Sequence, residues 1–79
     1  MPIDPKLITA FATALGIQPA AVTDDLAYNS IPEWNSIAHM ALVAELEQSY
    51  NVLLDTDDVI DLSSVAKSRE ILAKYGVTA

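Results

Sequence analysis

Seventy-nine residues, 52% of them apolar, suffice for one small domain with a modest core and are not the composition of a disordered tail. The absence of cysteine excludes a disulfide, a thiolate nucleophile and a cysteine-based metal site, and two glycines, Gly16 and Gly76, are too few for a phosphate-binding loop. A net charge of −7 opposes nucleic acid and anionic membrane as partners and favours basic protein surfaces.

The chain reads as helical nearly throughout. Asp4 followed by Pro5 is a helix start, an acceptor at the cap and proline at the first helical position. Leu7, Ile8, Phe11 and Leu15 recur at helical spacing, and Gly16 is a suitable stop, so the first helix is expected over about 4–15. Residues 17–35 form a long connection, broken by Pro19, Asn29 and Pro32, with Thr23-Asp24-Asp25 as a turn or short helical start. Val22, Leu26 and Ile31 are expected to pin it to the core. A loop this long in so small a domain usually has a job.

The second helix is expected from 36 or 37 to 50, and it carries two apolar stripes. His39, Leu42, Val43, Leu46 and Tyr50 share one face; Ile37, Met40, Ala41 and Ala44 share another. A helix on the surface of a small bundle buries one stripe, so the other faces solvent, a partner or a ligand. After a connector, Asp55 or Thr56 is expected to cap a short third helix of about 56–61, with acids in its first turn where the dipole favours them. Ser63 or Ser64 caps the last helix, roughly 64–75, which buries Val65, Ile71, Leu72 and Tyr75 and ends at Gly76. Lys74 suits its C-terminal dipole. The fold class is all-α: a small four-helix bundle forming a single domain over residues 1–79, three main helices plus a short third one.

Charge is unevenly placed. Between Lys6 and Lys67 there is no basic residue, while Asp24, Asp25, Glu33, Glu45, Glu47, Asp55, Asp57, Asp58 and Asp61 all lie in that span. The start, MPIDPKLITAF, lacks the basic and long apolar segments of a signal peptide, and no apolar run reaches membrane-spanning length. The expected location is the cytoplasm, and a monomer is expected.

Few chemistries are open to these residues. Ser36 and His39 stand three apart, but no acid is placed to orient the histidine, and His39 falls on the core stripe, where a hydrogen-bonded, half-buried ring is expected. The chain is therefore not read as an enzyme. Asp55-Thr56-Asp57-Asp58 opens like a calcium loop, yet its sixth and twelfth places hold Ile60 and Ala66 where glycine and glutamate are needed. Ser36 itself, where loop meets helix, has two readings. It is a good N-cap, and it is also an exposed hydroxyl at a helix end suited to a phosphate.

The stretch EWNSIAHMALVAELEQSYNV resembles the attachment motif and second helix of the acyl carrier proteins. The helix order, long first loop, short acidic third helix and chain length agree with that family too. The resemblance implies that Ser36 carries 4′-phosphopantetheine, transferred from coenzyme A by a separate phosphopantetheinyl transferase. The arm's thiol would hold an acyl or aminoacyl group as a thioester, so the chain would need no cysteine of its own. It further implies docking by Asn35, Ile37, Met40, Ala41, Glu45 and Glu47 to an activating ligase, synthase or acyltransferase with a basic surface. An acyl-chain groove would include Leu54, Val59 and Ile60, although ordinary core packing explains those three equally well. The chain departs from the family at Asn35, usually aspartate, and at Ala38 and Ala41, where the fatty-acid type usually places acids. These departures resemble a specialised carrier. Trp34 fits such carriers, and fits equally a plain anchor for the loop. The alternative function is an unmodified helical interaction module using the apolar face of the second helix.

Overall fold

The computed structural model describes residues 3–79, and Met1 and Pro2 lie outside it. Four helices follow one another: α1 (Pro5–Leu15), α2 (Ser36–Tyr50), α3 (Thr56–Asp61) and α4 (Val65–Lys74), with one 3-10 turn at Pro19–Ala21. There is no strand among the described residues, only an isolated antiparallel bridge between Ala27 and Ser64. The all-α bundle expected from the sequence is the observed architecture.

Helix ends are set by local chemistry. Asp4 caps α1 by accepting the Lys6 N–H, Pro5 stands in the first turn, and Gly16 closes the helix in the left-handed conformation at φ 66°. Asn51 closes α2 in the same way, at φ 54°. Between the open caps for α3 and α4, the structure selects Asp55 and Ser64, whose side chains accept the N–H groups of Asp58 and Lys67.

One apolar core runs between α1, α2 and α4, with Leu7 and Phe11 from the first, Leu42 and Leu46 from the second and Ile71 and Leu72 from the last. At the far end of the α1–α2 contact, Tyr50 donates its hydroxyl to Asp4 Oδ2 at 3.0 Å. Burial, then the bond to Asp4 and its charge, push that phenol above its ordinary range.

The long connection is tightly held. Val22 and Leu26 are buried, Ile31 is half-buried, and Trp34 is 0% exposed. Backbone bonds from Tyr28 N to the Ser63 carbonyl and from Val65 N to the Leu26 carbonyl, both 2.9 Å, fasten it to the start of α4. Trp34 meets Phe11 edge-on, with ring centroids 5.5 Å apart. It anchors the loop that delivers Ser36.

The six residues of α3 are too few to hold a helix alone, and polar ties fix them. Asp58 is buried, receives the Lys74 ammonium on Oδ1 and accepts the Tyr75 hydroxyl on Oδ2 at 2.6 Å. These two bonds, Lys74 first, hold its carboxyl below the usual carboxylate range against the opposing effect of burial. The acidic first turn is thus more than a complement to the helix dipole: one of its aspartates is a core ligand for α4. Lys74 likewise does more than suit the dipole at its own helix end. Among the described residues no helix is long and apolar enough to cross a membrane.

Candidate functional site

The N-terminus of α2 is organised by Asn35. Its backbone is extended (φ −105°, ψ −176°), and its Oδ1 accepts the Ala38 N–H at 2.9 Å. Its Nδ2 donates to the Pro32 carbonyl at 3.4 Å. Asn35 is therefore the cap, and the reading of Ser36 as cap is corrected. Ser36 is the first helical residue, one place too late for its side chain to reach back over the first turn. Its hydroxyl is exposed and has no partner among the described residues. The N–H groups of Ser36 and Ile37 are also without partners among the described residues, because the cap side chain answers only for Ala38. A helix of 15 residues thus presents two free donors and a free hydroxyl at its positive end.

Beside Ser36 lies a cleft of about 270 Å³ lined by Tyr28, Ser36, His39, Met40, Ile60, Leu62 and Ser63. The long loop, the first turns of α2, the end of α3 and the α3–α4 connector all contribute. Two of the expected groove and docking residues, Ile60 and Met40, therefore border the same space as Ser36. Leu54 and Val59 do not line it; both are half-buried and pack against the core.

The second stripe of α2 is exposed, as its apolar letters on a surface helix suggest. Ile37 is 83% and Met40 61% exposed, and Ala41 and Ala44 are open as well. Glu45 is half-buried. Glu47 has an internal role: its Oε2 accepts the Leu54 N–H at 2.9 Å, tying α2 to the segment that follows.

His39 is the hydrogen-bonded, half-buried ring that its place on the core stripe leads one to expect, and the structure adds its partners. Its Nδ1 takes the indole N–H of Trp34 at 3.0 Å, and its Nε2 is 2.9 Å from the Val59 carbonyl. An indole nitrogen only donates, so Nδ1 must be the acceptor and the ring proton must sit on Nε2, donating to Val59. The imidazole lies nearly coplanar with the Trp34 indole, joined to it edge to edge by the indole N–H bond (centroids 6.2 Å, 18° between planes), and meets Tyr28 edge-on at 5.4 Å. Both nitrogens are used, which leaves His39 no free base for Ser36.

No family model matches the chain, and neither does any curated protein or solved structure. What the site can do follows from its own geometry. Among the described residues no group of three or more His, Cys, Asp or Glu is placed to hold a metal ion. The free hydroxyl and helix-end donors can receive a phosphodiester on Ser36, and the adjoining cleft can receive a small, mainly apolar group.

Proposed function

We propose that the protein is an acyl carrier, modified on Ser36 by 4′-phosphopantetheine, presenting acyl or aminoacyl thioesters to partner enzymes. The observation that carries this reading is the division of labour at the start of α2. Asn35 caps the helix, and Ser36 is left exposed with an unbonded hydroxyl beside a cleft. A serine kept only for capping would not stand one place beyond the cap. Attachment requires the Ser36 oxygen to attack the pyrophosphate of coenzyme A, releasing the nucleotide portion. The catalytic groups for that step belong to the transferase, since the only histidine here is fully bonded.

Once attached, the phosphodiester would lie against the free N–H groups of Ser36 and Ile37, where the helix dipole favours negative charge. The arm would then supply the thiol that this cysteine-free chain lacks. Tethering raises the effective concentration of cargo at each enzyme visited. Ile37 and Met40, exposed on the same side as Ser36, form the apolar centre of the docking face, with acids on the neighbouring elements to attract basic partners.

The exposed stripe alone would also serve an unmodified interaction module. Co-expression with a broad-specificity phosphopantetheinyl transferase, followed by intact-mass measurement, separates the two. The carrier reading expects one phosphopantetheine on the native chain and none on Ser36→Ala. A native chain left unmodified by a transferase active on another carrier would sink it. A gain that survives Ser36→Ala would move the site elsewhere.

A further inference from the structure

The cleft beside Ser36 ends at a specific bond. Leu62, fully buried, and His39, half-buried, are its inner residues, while Met40 and Ile60 stand at its exposed edge. His39 spans from α2 to the Val59 carbonyl of α3, and its other nitrogen is held by the buried indole of Trp34. A chain passing deeper between α2 and α3 would have to displace this imidazole. It would strand the Nε2–H, the Val59 carbonyl and the indole N–H in a region where polar groups need partners.

We propose that the His39–Val59 hydrogen bond sets the depth of the cleft and restricts the carrier to short acyl cargo, leaving long alkyl chains outside the bundle. His39 acts here as a specificity-determining residue. Tyr28 and Ser63 border the same cleft, and their hydroxyls have no partners among the described residues. They suit a short acyl group that bears a polar substituent. Leu54 and Val59, the other residues expected in a groove, are half-buried against the core and do not line the cleft. The proposal rests on the carrier reading of Ser36.

The test loads the full chain from acetyl-, butanoyl-, octanoyl- and dodecanoyl-coenzyme A with a broad-specificity transferase. Intact mass reports attachment, and backbone amide spectra report where each acyl group lies. Acetyl and butanoyl are expected to shift amides at the cleft, those of Met40, Ile60 and Ser63. Octanoyl and dodecanoyl are expected to leave Leu46, Leu54 and Val59 as they are in the unacylated carrier, with no gain in melting temperature. In His39→Leu, which removes the bond and keeps an apolar side chain of similar reach, octanoyl should shift those three amides and raise the melting temperature. His39→Gln keeps a side-chain N–H donor and should restore the limit. Octanoyl shifting Leu46, Leu54 and Val59 in the native chain would overturn the proposal, whatever the variants do. If no acyl-phosphopantetheine attaches at all, the carrier reading falls and this proposal falls with it. Attachment followed by deep insertion overturns only the length limit.

Discussion

Asn35 caps α2 through Oδ1, and aspartate in its place would cap as well while adding charge at the positive end of the helix. Two substitutions separate these effects. Asn35→Ala should lower stability by about 1 kcal/mol in urea unfolding, the usual loss on removing a cap. Asn35→Asp should hold stability or raise it by roughly 0.3–1 kcal/mol through the dipole. If the missing negative charge slows the transferase, Asn35→Asp should also speed phosphopantetheine transfer in an intact-mass time course; an unchanged rate refutes that role. Met40 offers a complementary test one turn later. At 61% exposure it takes little part in the core, so Met40→Glu should change stability by no more than about 0.5 kcal/mol. Transfer should nevertheless slow, because a charge then sits in the apolar centre of the proposed docking face. A large fall in melting temperature would mean that Met40 belongs to the core.

At the scale of the elements, α3 depends on Asp58. Its carboxyl is held below the usual range by Lys74 and then Tyr75, so the folded state binds its proton less readily than the unfolded chain. That contribution is fully present above the ordinary aspartate value of 3.8 and is lost as pH falls through the lower folded value. Urea unfolding between neutral pH and strong acid should therefore show native stability dropping below about pH 4. Asp58→Asn should be less stable at neutral pH and should lose less on acidification. It should also speed amide exchange across residues 56–61, where the helix has few other ties; equal exchange in both proteins would show that Asp58 does not hold α3. The sequence disclosed the helices well because their ends are local: Asp4-Pro5, Gly16 and the Asp55 and Ser64 caps all act within a few residues. It disclosed the exposed stripe of Ile37 and Met40 for the same reason. The burial of Asp58 was not legible, since its partners stand 16 and 17 residues away. Nor was the double bonding of His39, one of whose partners lies 20 residues along on another helix. The cap was misread by one place because asparagine and serine are both good caps, and only the backbone geometry decides between neighbours.

Across the whole molecule the acids outnumber their partners. Ion pairs within 4 Å join Asp24 to Arg69 and Asp58 to Lys74. Glu33, Asp25, Asp57 and Asp61 are exposed and have no such partner among the described residues. The molecule measures 29 × 26 × 19 Å along its principal axes. At an ionic strength near 0.01 M the screening length is about 30 Å, so every acid repels every other across the full width of the fold. Near 0.15 M it falls to about 8 Å, and only neighbours still interact. Compact folding of a chain of net charge −7 is opposed by this repulsion, while the Asp58–Lys74 contact, buried on its aspartate side, is screened less. The melting temperature should therefore rise between these two salt concentrations. Replacing exposed Asp57 and Asp61 with asparagine should reduce that rise, whereas Asp58→Asn, by removing a paired charge, should lower the melting temperature at both. A melting temperature that falls with salt in the native chain would show that surface attraction, rather than acidic repulsion, dominates its electrostatics. The same screening should slow capture by a basic partner, because the field that strains the fold is the one that would steer a basic partner toward the α2 face.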